Sequence, residues 1–285
     1  MGYTLGRILE GRSIANGIKR ELHRRAEEMK LKRGFAPGLA IVTGGRDQAS
    51  VSYAKNAARA SEAAGIRIEI HTLGEGCETS GALNAIEALN QDERTDGILM
   101  QFPLPDGVDE KAVRSGIRPA KDIECINPLN MGRFYGGEKC FVPCTPKGIM
   151  RLIEHTGVRI EGKHAVVIGR SGILGKPVAA LLLKRNATVT VCHSKSIDLG
   201  RYTRDADILV SASGKPGLVT ADMIKRGAVV IDSGTTMVDG RLVGDAVFDD
   251  ILKVASWITP VPGGVGAMTV AMLLENVLEA CEHVY

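Results

Sequence analysis

The stretch Gly169-Arg170-Ser171-Gly172-Ile173-Leu174-Gly175-Lys176-Pro177 constrains the fold most, because an apolar run at 165–168 precedes it and another at 178–183 follows. A strand, a glycine-rich turn and a helix in that order make a place for an anion. Glycines let the backbone approach closely, and the free N–H groups and dipole at the helix start favour negative charge. The spacing is Gly-x-x-Gly-x-x-Gly rather than Gly-x-Gly-x-x-Gly, and a glycine run by itself can equally serve only to pack a helix on a sheet. About twenty residues on, where a dinucleotide fold places its second strand, comes the β-branched segment 187–192. Its end separates two cofactors. NAD sites put an Asp or Glu there for the ribose hydroxyls, whereas this chain has His193-Ser194-Lys195-Ser196 and no acid before Asp198. A 2′-phosphate suits that end, with Arg170 offering a guanidinium fork and Ser194 a hydroxyl donor. The expected cofactor is therefore NADP; the alternative is a solvated surface loop.

The 285 residues suggest about two domains with a core each. A formal charge of +3 gives no reason to expect a nucleic-acid partner. Basic residues from Lys19 to Arg33, interrupted by Glu21, Glu27 and Glu28, read as the wet face of an amphipathic helix. No apolar run reaches the roughly twenty residues of a membrane span, and residues 1–7 lack a signal-peptide core. The expectation is a cytoplasmic protein with no membrane partner. Six cysteines stand without a Cys-x-x-Cys pair or a matched His set, so reduced thiols are expected, with neither a metal nor a disulfide frame.

Helical and extended patterns alternate. Ser13 reads as the cap of a helix carrying Ile14, Ile18, Leu22 and Met29, followed by a strand at 39–43. A helix over 50–64 ends at Gly65, and residues 66–70 alternate as a strand. Residues 81–89 read as helix and 97–102 as a strand stopped by Pro103-Leu104-Pro105. A helix from Lys147 to His155 leads into later strands at 207–211, 228–232 and 257–260, and an amphipathic helix at 268–281 closes the chain. The pattern predicts an α/β protein with mostly parallel sheets, whose strand ends carry the small and polar residues that face ligands.

Five ordered motifs carry a resemblance over essentially the whole chain: Gln101-Phe-Pro-Leu-Pro105, Lys121-Asp-Ile-Glu124, Pro143-Cys-Thr-Pro146, Gly169 to Pro177, and Thr259-Pro-Val-Pro-Gly-Gly-Val-Gly-Ala-Met-Thr269. They are similar to the bifunctional methylenetetrahydrofolate dehydrogenase/cyclohydrolase family. The resemblance implies an N-terminal α/β catalytic domain for a reduced folate, over residues 1–146 with 268–285. It also implies a Rossmann-type NADP-binding domain over 147–267, a cleft between the two, and a homodimer formed through the nucleotide domain. The implied chemistry is oxidation of methylenetetrahydrofolate with NADP, then hydration of the methenyl product to 10-formyltetrahydrofolate.

The two steps make different demands. Hydride transfer needs chiefly a near-attack geometry, whereas hydration needs an activated water. The family handles the second with Tyr-x-x-x-Lys on one helix, assisted by a Gln. Tyr53 matches the tyrosine and Gln101 the glutamine, but Ala57 stands at the lysine position. Lys55 is no substitute in a regular helix, being rotated about 200° from Tyr53; a shifted helix register or a lysine from elsewhere would be needed. Glu124 and Cys125 stand where the family has Asp and Gly, and Ala267 where it has Pro. Glu124 keeps a carboxylate for the pterin's N–H groups at a longer reach. Asp122 reads as the charge partner of Lys121 rather than as a catalytic group. Pro262 and Gly263 let backbone run close to cofactor and folate. The implied cofactor residues are Gly169, Arg170, Ser171, Gly175, Ser194, Ser213, Gly214 and Thr235, with Thr145 beside the nicotinamide. The reading is an NADP-dependent dehydrogenase whose cyclohydrolase step is in doubt. Its alternatives are a dehydrogenase for another reduced one-carbon pterin, or a non-catalytic folate- or nucleotide-binding homologue.

Overall fold

Parallel strands covered on both faces need unbroken apolar runs, which the chain supplies at 39–42, 98–100, 166–168, 208–210 and 229–231. The computed structural model describes residues 6–44 and 48–282. Among these, eleven strands follow in chain order: β1 (Arg7–Ile8), β2 (Gly38–Thr43), β3 (Arg67–Thr72), β4 (Gly97–Met100), β5 (His164–Ile168), β6 (Thr188–Cys192), β7 (Ile208–Ser211), β8 (Val229–Asp232), β9 (Thr236–Val238), β10 (Arg241–Val243) and β11 (Trp257–Ile258). Two compact units emerge, Met1–Ala15 with Thr145–Thr269, and Asn16–Cys144 with Val270–Tyr285.

The first unit holds a six-stranded sheet in the order β1-β11-β8-β7-β5-β6, parallel throughout. Because β6 pairs on one side of β5 and β7 on the other, the chain order reverses at β5. Every residue of β7 and β8 is buried, and Val166, Ile168, Leu209, Val230 and Ile258 form one core with Ile251. An antiparallel hairpin of β9 and β10 follows β8. The second unit is built on a parallel sheet in the order β3-β2-β4. Ala40, Val42, Ile98 and Met100 from that sheet pack with Ala82, Ile86 and Leu89 of the helix Thr79–Gln91. Asp109 caps the helix Glu110–Gly116 through the N–H groups of Lys111 and Ala112, and Asn127 caps Pro128–Gly136 through that of Leu129.

Several boundaries differ from the sequence reading. The first helix spans Gly11–Arg33, so Ser13 lies inside its first turn rather than at its cap. The start is fixed by backbone instead: Arg12 N–H donates to the Gly263 carbonyl at 2.9 Å. The strand expected through residue 102 stops at Met100, and the helices expected from Lys147 and Met268 begin at Cys144 and Val265. Residues 6–15, expected with the folate domain, group with the nucleotide sheet because Arg7 and Ile8 pair with Trp257 and Ile258.

Within the second unit, the fully buried Asn276 sits in the apolar helix Val265–Cys281 and donates to the carbonyls of Ile123 at 2.7 Å and Val142 at 2.9 Å. That amide ties the segment around residues 123–125 to the closing helix. The N276L variant removes both donors and should lose roughly 2 kcal/mol or more of stability, read as a lower urea midpoint at unchanged m-value.

Candidate functional site

Where a parallel sheet reverses order, the loops at the carboxyl ends of the flanking strands face a ligand. Here those loops follow β5, β6, β7 and β8. Gly169 leaves β5 at φ 130°, a conformation for glycine, and a Cβ on it would lie 2.4 Å from the Ala212 carbonyl oxygen. Gly175 opens the helix Gly175–Lys184, and a Cβ there would lie 2.2 Å from the Gly169 carbonyl oxygen. The turn between them therefore folds backbone against backbone, leaving Arg170, Ser171 and Gly172 exposed. Ser171 Oγ accepts the Gly175 N–H at 3.4 Å. After β6, His193 N–H donates to Ser196 Oγ at 3.0 Å and Lys195 N–H to His193 Nδ1 at 3.1 Å, closing a turn that exposes Ser194. This cradle of close backbone, with an arginine and a serine but no acid at the end of β6, fits a phosphorylated dinucleotide.

Beyond β7, Ser213 N–H donates to Asp245 Oδ2 at 2.8 Å, and Gly214 stands at φ 66° with its carbonyl accepting from Thr236 Oγ1 at 3.1 Å. Thr235 is exposed beside it. The eight residues expected to hold the cofactor thus all lie in one unit, in loops following four neighbouring strands. Thr145 belongs to the same unit, its Oγ1 3.1 Å from that of Thr269. Pro262 and Gly263 also fall in this unit, after a cis Val261–Pro262 bond and with Gly263 at φ 110°, while Tyr53, Gln101 and Glu124 fall in the other.

In the second unit the helix Gln48–Ala63 presents Tyr53 and, one turn on, the fully buried Ala57, whose carbonyl accepts from Ser61 Oγ at 2.8 Å. Lys55 is exposed. Tyr53 is half-buried, and burial, the charge of Glu124 and then Cys144 push its phenol well above the ordinary value. Among the described residues no cation enters that balance. Gln101, 9% exposed, follows β4 and donates its backbone N–H to Val42 of the central strand at 2.8 Å.

Asp122 does not pair with Lys121. The lysine ammonium donates to the carbonyls of Leu89 at 2.8 Å and Asp92 at 2.7 Å, whereas Asp122 turns inward. There its carboxylate accepts from Ile126 N–H, Asn127 N–H and Asn130 Nδ2, each at 2.9 Å. Burial still lifts it to about 6 against those three donors and Arg114. Glu124 is lifted further, to about 8, by burial and by the charge of Asp122, with Arg114 opposing. At neutral pH it is mainly a neutral acid, able both to donate and to accept a hydrogen bond. Cys125 follows at φ 56°, a region that disfavours side chains and suits the glycine of the family's pattern.

Sequence profiles for "Tetrahydrofolate dehydrogenase/cyclohydrolase, catalytic domain" and for the corresponding "NAD(P)-binding domain" match residues 9–124 and 143–285. The chain belongs to the tetrahydrofolate dehydrogenase/cyclohydrolase family. The "Bifunctional protein FolD" of Caldanaerobacter subterraneus subsp. tengcongensis is 49% identical over 276 residues, 97% of each chain, and that of Moorella thermoacetica is 50% identical over 277 residues, 97% of this chain and 99% of that one. Among solved structures, the bifunctional FolD enzyme of Campylobacter jejuni has a TM-score of 0.94 at 40% identity, covering 98% of this chain and 99% of that one. The Trypanosoma brucei enzyme, complexed with NADP cofactor and inhibitor, has a TM-score of 0.93 at 39% identity and 99% coverage of both. The five motifs therefore identified the family correctly, with its two-domain α/β fold.

Sequence reasoning passed over Asn127, Asn130 and Asn276, which fix the Asp122–Glu124 segment of this family member. The pair Asn127-Pro128 is a cap followed by a first-turn proline, and Asn276 is an amide inside an apolar helix; both are readable signals. Glu124 yields a pH test. Between the ordinary carboxylate range and about 8, the native side chain keeps a proton that the unfolded chain releases. Stability from this group therefore falls as pH rises, by up to about 1.4 kcal/mol per pH unit. In E124Q the decline in urea midpoint between pH 5 and 8 should be shallower than in the wild type.

Proposed function

We propose that the chain is an NADP-dependent methylenetetrahydrofolate dehydrogenase, forming 5,10-methenyl- from 5,10-methylenetetrahydrofolate, whose hydrolysis of the methenyl product is weak. The observation that carries this reading is Ala57, fully buried one helical turn from Tyr53 with Lys55 exposed, in a chain of the family that otherwise keeps the nucleotide cradle. Relatives bearing the bifunctional name and the NADP complex of the Trypanosoma brucei enzyme support substrate and cofactor. The reading extends, on the family resemblance, to a homodimer in the cytoplasm. No helix among the described residues is long and apolar enough to cross a membrane.

NADP supplies a hydride acceptor. The protein's part in the first step is placement. The backbone from Gly169 to Gly175 with Ser171 holds the pyrophosphate, Arg170 and Ser194 grip the 2′-phosphate, and Ser213, Gly214 and Thr235 border the nicotinamide. Glu124, as an acid or its anion, meets the pterin's polar edge, Gln101 orients the reacting carbon, and Pro262 and Gly263 line the approach. The methylene carbon gives up hydride while its nitrogen lone pair forms the C=N⁺ bond, so no protein base is required. Water attack on that carbon releases a proton, and here the Tyr53 phenol is pushed up by burial with no cation among the described residues to lower it. The relatives do not favour a different pterin or a non-catalytic role.

Two measurements test the reading. With methylenetetrahydrofolate and NADP, wild-type protein should form NADPH while methenyl decays near its uncatalysed rate. A57K should speed methenyl loss by about 100-fold or more, in the range of general acid–base catalysis; rapid methenyl hydrolysis by the wild type would refute the Ala57 argument. Separately, R170A should weaken NADP binding about 10- to 100-fold, the worth of a charge-assisted contact, and leave NAD binding unchanged in calorimetric titration.

A further inference from the structure

Side chains as well as ladder bonds join the ends of β7, β8 and β11. Asp232, 3% exposed, ends β8; its Oδ1 accepts from Gly234 N–H at 2.9 Å and Asp245 N–H at 3.0 Å, and its Oδ2 from Ala246 N–H at 2.9 Å. Its own N–H donates to Thr259 Oγ1 at 2.7 Å. On this platform stands Asp245, fully buried, whose Oδ2 accepts from Ser211 Oγ at 2.7 Å and from Ser213 N–H at 2.8 Å. Two glycines make room for the carboxylates. A Cβ on Gly244 would lie 2.0 Å from Asp232 Oδ2, and one on Gly234 2.3 Å from Asp245 Oδ1.

Asp245 is costly as a structural fastener. Its Oδ1 is buried and has no hydrogen-bond partner among the described residues, so desolvation is only partly offset. The strand it touches is already held on both sides, Ser211 standing in register with Ile168 of β5 and Asp232 of β8. What Asp245 adds is the position of the loop after β7, which Thr236 grips from the other side through Gly214. In the order β6-β5-β7, the 2′-phosphate end of a dinucleotide lies at β6 and the pyrophosphate at β5. The loop after β7 then meets the nicotinamide half.

We infer that Asp245 is a positioning residue for the nicotinamide half of the cofactor, setting Ser213 and Gly214 in place from beneath, on a platform made by Asp232. The inference rests on the NADP reading above. Its test is calorimetric titration with two probes, NADP and adenosine 2′,5′-bisphosphate, which carries the 2′-phosphate end without nicotinamide. D245A should weaken NADP about tenfold while the bisphosphate changes by less than about twofold, with KM for NADP rising and kcat falling. D245N, whose carbonyl oxygen can still accept from Ser211 and Ser213, should return NADP affinity to within about threefold of wild type. If D245A does not fold, S211A replaces it, with the same selective loss at a few-fold. Equal weakening of both probes would mark a merely structural residue and overturn the inference, as would no change in either. Failure of the wild type to bind NADP would overturn the cofactor reading itself, and is seen before any variant is made.

Discussion

Asp122 in one unit and Asp232 in the other each bring a carboxylate into the interior and surround it with N–H groups from the chain just beyond. Asp122 gathers those of Ile126, Asn127 and the Asn130 amide; Asp232 gathers those of Gly234, Asp245 and Ala246. Loops cannot satisfy their backbone in a ladder, so a buried acceptor that meets three donors decides their course. Asp232 holds Gly234, next to the candidate Thr235, and Asp122 holds the chain that follows the candidate Glu124. The same device works at the start of β2, where Asp96 accepts the Gly38 N–H at 2.8 Å while Arg33 pairs with it at 2.9 Å.

The contrast between neighbouring acids follows from the same accounting. Asp122 and Glu124 are both desolvated, but Asp122 has three donors to favour its anion and Glu124 has Asp122's charge against it. Two carboxyls two residues apart thereby take different protonation states at neutral pH, the first mainly anionic and the second mainly neutral. The glutamate's longer reach therefore comes with a carboxyl that holds its proton at neutral pH. Cys125, held at φ 56°, keeps the bend that follows.

Much of this was legible in the chain because it follows from local rules. Apolar runs marked β2, β5, β7 and β8, and the glycines at 169 and 175 marked a turn of close backbone. The Tyr53–Ala57 spacing showed an apolar methyl where a cation was expected, and burial of Ala57 against exposed Lys55 agrees with helical periodicity. What escaped depends on distant partners. β1 is two residues long and exists only because Trp257 and Ile258 offer an edge. Lys121 and Asp122 look paired in sequence, but carbonyls at the end of one helix claim the lysine and backbone N–H groups claim the acid. Asp245 carried no pattern at all; its meaning lies in Ser211 and Ser213, more than thirty residues earlier.

The pairing of Arg7 with Trp257 reaches across nearly the whole chain, and each unit is built from two separate segments of the sequence. At ribosomal speeds of about 5–20 residues per second, residues 7 and 8 wait on the order of ten to fifty seconds before their partner strand is made. During that interval the edge of β11 does not exist, and the helix from Gly11 grows without the Gly263 carbonyl that meets its first turn. Completion of the larger sheet is therefore a late event of synthesis, one that cannot begin until the nascent chain has passed residue 258.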